Sequence, residues 1–183
     1  MFPKSRFVFI LVGFALLAAA CGDDNDSGTI QLGQEALSPD LEDVQSDSDG
    51  DTIHGITFTT FDGEIRSFDD HAGQPLVINF FAAWCPPCAA ELPDFQAVFE
   101  ELDGTVDFVG LSEDPEPQAS IDLLAATGVT YEIGWDEDGS LFEELGGFAM
   151  PTTIFVDASG NIVDTWAGAL TADALRDLIE GII

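Results

Sequence analysis

From about residue 53 onward, dense apolar runs of five or six residues alternate with stretches in which apolar residues recur every three or four positions. The first pattern predicts buried strands and the second helices packed on one face. Ile56 to Phe61, the pair Asp62-Gly63 and Glu64 to Arg66 predict a hairpin with a tight turn. Pro75 to Phe81, which contains Val77-Ile78-Asn79-Phe80-Phe81, predicts a buried strand. Leu92, Phe95, Val98, Phe99 and Leu102 follow at helical spacing, with Pro93 expected to kink that helix. Val106 to Leu111 predicts the next buried strand, Pro117 to Thr127 a helix, Tyr131 to Trp135 a short strand and Ser140 to Leu145 a short helix. Thr152 to Val156 and Ile162 to Trp166 predict strands joined by the turn Asp157-Ala158-Ser159-Gly160. Thr171 is placed to cap a last helix whose Leu175, Leu178, Ile179 and Ile182 make one apolar face. Strands interleaved with helices predict one α/β domain over residues 52–183, long enough for a single core. No internal repeat is visible.

A different pattern precedes this domain. Lys4 and Arg6 lead into an almost unbroken apolar run from Phe7 to Leu17, then Ala18-Ala19-Ala20 and Cys21. Residues 1–21 are expected to be an export signal peptide, short for a span of about 20 apolar residues. Cys21 stands where a bacterial lipoprotein carries its lipid-modified cysteine, although Ala18 occupies the position where leucine is usual. Ordinary secretory cleavage, leaving Cys21 as a spare thiol, is the plainer alternative. Two or three acyl chains on Cys21 would hold the protein firmly at a membrane surface. Residues 22–51 are rich in Asp, Glu, Ser, Gly and Gln and lack aromatics, so a solvated tether is expected there. Asp47, Asp49 and Asp51 resemble the opening of a calcium loop, but Gly50 is misplaced and Phe58 stands where the closing glutamate belongs.

Charge narrows the partners. Among 183 residues, 35 are Asp or Glu and only 4 are Lys or Arg. Two of those four lie in the leader, so Arg66 and Arg176 alone remain beyond it. Such a surface repels phosphate backbones, which argues against nucleic acid, and it repels anionic lipid too. Attraction to a basic partner and a general adaptation to salty surroundings account for the acidity equally well.

The candidate chemistry sits between the predicted strand 75–81 and the helix after it, in Trp84-Cys85-Pro86-Pro87-Cys88. Two cysteines at this spacing can open and close one disulfide with little backbone movement. A cysteine at the start of a helix meets unpaired N–H groups and the helix dipole, which lower its pKa from about 8.5 and make Cys85 the expected nucleophile. Half of a zinc site and an inert disulfide are the competing readings. Zinc needs four ligands, and beyond this pair only Cys21, His54 and His71 are available, with no second ligand pair at a suitable spacing. The strand–motif–helix context favours redox chemistry.

Taken together, the order of elements, the Trp84–Cys88 motif, Pro93 and the later Met150-Pro151-Thr152 resemble the thioredoxin superfamily, and within it the TlpA/ResA-like thiol-disulfide oxidoreductases. The resemblance covers about residues 52–183. It implies a thioredoxin-like fold, a central mixed sheet flanked by helices with an N-terminal β-hairpin, and no cofactor. It implies that Cys85 attacks, that Cys88 is the buried resolving thiol and that Trp84 shields the sulfur. It implies further that Pro151 is cis and that Trp84, Pro86, Pro87, Met150 and Thr152 shape the substrate contact. Glu91, three residues after Cys88, matches an acidic residue that tunes cysteine acidity and moves protons; a solvated first-turn carboxylate is the alternative. Asn79 stands where thioredoxin itself has a buried Asp, which shifts proton handling toward Glu91. Pro86 and Pro87 lack N–H groups, no histidine separates the cysteines and the surroundings are acidic, so a comparatively reducing couple is expected. The resemblance also implies a protein disulfide as substrate, with apocytochrome c as the best-known case in cytochrome c maturation. A membrane protein would donate the electrons, on the outer side of the cytoplasmic membrane, and the chain would act as a monomer. A disulfide-forming oxidase is the reverse reading. A peroxiredoxin-like peroxidase would need Pro and Thr where Ile78 and Ala82 stand, and a copper-delivery lipoprotein would need a wider cysteine spacing and a late histidine.

Overall fold

The structure is a computed structural model and describes residues 52–183. Expectations for the leader, Cys21, the tether 22–51 and the Asp47-Asp49-Asp51 run lie outside the described residues. Within them, seven strands form one mixed sheet in the order β2-β1-β5-β4-β3-β6-β7. The strands are β1 (Thr57–Thr59), β2 (Ile65–Ser67), β3 (Leu76–Phe81), β4 (Asp107–Ser112), β5 (Glu132–Trp135), β6 (Thr152–Val156) and β7 (Ile162–Ala167). Helices α1 (Pro86–Leu102), α2 (Pro117–Thr127), α3 (Ser140–Glu144) and α4 (Ala172–Ile179) connect or follow them.

Strands β3, β4 and β5 run parallel. Their crossovers are α1 and α2, so the loops leaving the carboxyl ends of β3 and β4 lie at one end of the sheet. Strand β6 is antiparallel to β3, pairing Thr152 with Phe80, which brings the segment before Thr152 to that same end. Side chains along β3 alternate between two cores. Leu76, Ile78 and Phe80 join Phe58, Phe68, Leu111 and Ile154 on one face. Val77 joins Phe95, Val98, Phe108, Leu175 and Ile179 on the other, beneath α1 and α4. Asn79 shares the parity of Val77 and so points toward α1. At the carboxyl end of β3 a third cluster gathers Phe81, Ala82, Cys85, Cys88 and Leu92.

The predicted elements are present, α2 and β6 with the predicted ends and the others shifted by one or a few residues. The hairpin strands are shorter than the apolar pattern suggested, because Thr60 and Glu64 close a loop around Asp62-Gly63 through Thr60 N–H to Glu64 carbonyl and Gly63 N–H to Thr60 carbonyl. A one-turn 3-10 helix, Phe68–His71, was not expected; a capping box of Ser67 with Asp70 sets it. Helix α1 runs unbroken from Pro86 to Leu102 with Pro93 inside it. The Thr171 hydroxyl accepts from Ala174 N–H and caps α4 as predicted, while Ile182 is buried beyond the helix end.

Candidate active site

The chain leaves β3 at Phe81 and turns sharply. Cys85 N–H donates to the Ala82 carbonyl at 3.1 Å, so residues 82–85 form a tight turn that delivers Cys85 as the N-cap of α1. Cys85 and Cys88 are joined as a disulfide, with Cα atoms 5.3 Å apart. The Cys88 N–H donates to Cys85 Sγ at 3.3 Å. Prolines at the first two helical positions are compatible with the fold because those N–H groups would have no intrahelical partner. They also leave the sulfur with this one helix-terminal donor. Both cysteines are buried, whereas Pro86, Pro87 and Trp84 are exposed, Trp84 by 60%. Trp84 therefore stands on the surface beside the sulfurs, and Phe148, 77% exposed, offers a second large apolar side chain on the segment before β6.

Met150-Pro151 is a cis peptide bond. Pro151 is buried and its carbonyl accepts from Gly168 N–H at 2.8 Å, while Met150 packs against the cluster that holds both cysteines. Thr152, expected to shape the substrate contact, opens β6 directly after this cis bond. Its side chain is fully buried and its hydroxyl donates to the Ala149 carbonyl at 2.6 Å, so it clamps the loop from within.

Glu91 is not a solvated first-turn carboxylate. It lies in the second turn of α1, is only 2% exposed, and accepts from Asn79 Nδ2 at 3.0 Å and from Leu170 N–H at 2.9 Å. Burial pushes its pKa up to about 7, against the opposing pull of the Leu170 and Asn79 hydrogen bonds. A carboxyl that titrates near neutrality, one helical turn from Cys88 on the same face, can hold or release a proton at working pH. The Asn79 Oδ1 atom is buried without a partner. Rotation of that amide would let it accept from a protonated Glu91, so the pair can serve both charge states.

Other titratable groups are engaged elsewhere. His54 bonds Asp69 at 3.0 Å and the Ser159 carbonyl at 2.8 Å. His71 bonds Asp107 at 2.8 Å. Neither imidazole is directed at the cysteines. Among the described residues no group of three His, Cys, Asp or Glu side chains is placed to hold a metal ion. The sequence reading missed two carboxylates just beyond β4. Asp114 is buried and accepts from Ala83 N–H at 2.8 Å. Glu113 is driven up to about 8, first by burial and then by hydrogen bonding to and charge repulsion from Asp136. Their signal was weak, because an acidic pair after a strand reads as a solvated loop.

Comparison with known proteins gives a consistent picture. The model of the AhpC/TSA family matches residues 50–165. The sporulation thiol-disulfide oxidoreductase A of Bacillus subtilis is 31% identical over 66% of this chain and 75% of its own length. The thiol-disulfide oxidoreductase ResA of Oceanobacillus iheyensis is 26% identical, covering 98% of this chain and 90% of the relative. The crystal structure of a secreted Mycobacterium tuberculosis disulfide oxidoreductase, homologous to Escherichia coli DsbE, superimposes with a TM-score of 0.62. It is 25% identical and covers 69% of this chain and 95% of that one.

Proposed function

The chain belongs to the AhpC/TSA family and is a thiol-disulfide oxidoreductase with Cys85 and Cys88 as its redox pair, and from that premise we propose that it reduces protein disulfides outside the cytoplasm. The observation that carries the direction is the single helix-terminal N–H, from Cys88, directed at Cys85 Sγ. A Cys85 thiolate with one such donor, no neighbouring cation among the described residues and an acidic protein around it is weakly stabilised. Weak stabilisation of the reduced form makes the disulfide a poor oxidant and the dithiol a good reductant, nearer thioredoxin at about −270 mV than DsbA at about −120 mV.

In this mechanism the Cys85 thiolate attacks one sulfur of a substrate disulfide, the substrate S–S bond breaks, and the first substrate thiolate leaves. Cys88 then loses its proton, with Glu91 as acceptor, and attacks Cys85 Sγ. The mixed disulfide breaks, the second substrate thiolate leaves, and the protein disulfide has formed while the substrate has gained two electrons. Trp84, Pro86, Pro87 and Met150 line the contact with an extended substrate segment, and the backbone of Met150 pairs with it beside cis-Pro151. A membrane electron-donor protein restores the dithiol. Cys21 carries the lipid anchor, residues 22–51 act as the tether, and the monomeric domain 52–183 reaches exported substrates at the membrane surface. Apocytochrome c awaiting haem is one such substrate, and misformed disulfides of exported proteins are the other.

The family name also raises hydroperoxide reduction. Ile78 and Ala82 stand where the peroxidase pattern has Pro and Thr before the cysteine, and both are buried aliphatic side chains without a hydroxyl. The test is Cys88→Ser, which stops the reaction after the first attack. Incubated with oxidised peptide substrates, it should accumulate a mixed disulfide on Cys85 that dithiothreitol releases. Rapid peroxide consumption by the wild-type protein with no peptide adduct on the variant would reverse the assignment.

A further inference from the structure

The turn that presents Cys85 is held from outside its own segment. Glu113 N–H donates to the Phe81 carbonyl at 2.9 Å, and the Asp114 carboxylate accepts from Ala83 N–H at 2.8 Å. Ala83 is the second residue of the turn closed by Ala82 and Cys85. The same Asp114 oxygen accepts from the Ser120 hydroxyl. Asp114 N–H donates to Ser112 Oγ at 3.2 Å, and the Ser112 and Ser120 hydroxyls lie 2.6 Å apart. The Asp114 carbonyl accepts from Trp135 Nε1 at 2.7 Å. Asp114 is 2% exposed, and Ser112 and Ser120 are fully buried. A carboxylate this far from water is costly unless it is hydrogen-bonded, and here one oxygen, Oδ2, accepts from both the active-site turn and α2.

We propose that Asp114 is a positioning residue for thiol-disulfide exchange, which fixes the turn 82–85 by holding Ala83 N–H and so keeps Cys85 Sγ in line with the Cys88 N–H. The effect is carried by the hydrogen bond, not by charge, and the two routes have opposite signs at the sulfur. Loosening the turn weakens the Cys88 N–H to Sγ contact and disfavours the thiolate, raising its pKa. Removing a nearby negative charge would favour the thiolate and lower it.

The inference rests on Cys85 being the attacking sulfur. Alkylation of the reduced wild-type protein reports that separately: if Cys88 is labelled before Cys85, that reading fails before any variant is compared. The pH dependence of Cys85 alkylation by iodoacetamide is then measured in the full reduced protein for Asp114→Ala, Asp114→Asn and Ser120→Ala. Asp114→Ala should raise the Cys85 pKa by ~1 unit. Asn retains an acceptor for Ala83 N–H, so Asp114→Asn should leave it within ~0.3 unit of wild type. Ser120→Ala, which removes the second donor to that same oxygen and leaves the carboxylate less firmly held, should move it upward by less than Asp114→Ala. A downward shift in both Asp114 variants would overturn the proposal in favour of charge, and unchanged values in Asp114→Ala would overturn it outright. Should Asp114→Ala not fold, the other two decide: an upward shift in Ser120→Ala with none in Asp114→Asn supports the proposal, and any other pattern overturns it.

Discussion

Replacing Glu91 by Gln removes a buried charge without changing shape, and the structure sets how stability should respond to pH. Burial lifts the Glu91 pKa from its ordinary 4.5 to about 7. A carboxyl whose pKa is raised on folding costs nothing below the unfolded value, because both states are protonated. The cost grows as pH climbs through the gap and is complete above the folded value. A gap of about 2.5 units at 1.36 kcal/mol each gives about 3 kcal/mol as the upper size of the effect. Glutamine has no such titration. The Asn79 amide, whose Oδ1 is now unpartnered, can turn to accept from the new Nε2, while the Gln oxygen keeps Leu170 N–H. Urea unfolding of the oxidised wild type and Glu91→Gln at pH 4.5, 6, 7 and 8 isolates the Glu91 contribution, since every other titration occurs in both proteins and cancels in the difference. At pH 4.5 Gln should be level with wild type or below it, by the ~1 kcal/mol of an imperfectly replaced hydrogen bond. By pH 8 the difference should have moved in favour of Gln by ~2–3 kcal/mol. A difference that does not change with pH would show that Glu91 is not raised on folding, and the proton-handling role assigned to it would fall with that result.

Glu113 has its pKa raised for a related reason, to about 8, but is less enclosed, so solvent screens part of the effect. Glu113→Gln should match wild type near pH 4.5 and gain on it steadily up to pH 9 in the same unfolding assay; a constant gap would contradict the shift. Gly134 lies in β5 where an added Cβ would come within 2.6 Å of Leu111 Cδ2 and 2.5 Å of a Phe58 ring carbon. Gly134→Ala should therefore lower stability by ~1–3 kcal/mol through overpacking, and a melting temperature equal to wild type would show that β1 yields freely there.

Much of this site could be read along the chain. The apolar run of β3, the cysteine pair and the helical stripe after it are contiguous, so local pattern fixed the relation between Cys85, Cys88 and α1. Glu91 was readable in principle. It falls three residues after Cys88 and four before Phe95, on the buried stripe itself, and a carboxylate on that stripe must find partners inside. Its partners were not readable, because Asn79 and Leu170 reach it from β3 and from the segment before α4. Asp114 was hidden for the same reason. It meets Ala83 across 31 positions, through the parallel pairing of β3 with β4, and nothing near Asp114 in sequence marks that contact. The hairpin ends escaped because backbone hydrogen bonds of the Thr60–Glu64 loop set them, and the Phe68–His71 turn because a side-chain capping box sets it; neither follows from hydrophobic period. The burial of the Thr152 side chain follows from its place, since a β-branched residue opening β6 lies between β3 and β7.

The central claim is that the Cys85–Cys88 couple is a reductant, and its reduction potential tests this most directly. Residues 52–183 would be equilibrated with glutathione or dithiothreitol buffers of known potential while the emission of the exposed Trp84 is followed. The single donor at Cys85 Sγ predicts a midpoint below about −230 mV, in reach of an extracytoplasmic reductase. A midpoint above about −150 mV would contradict the account and make the protein a disulfide-forming oxidase.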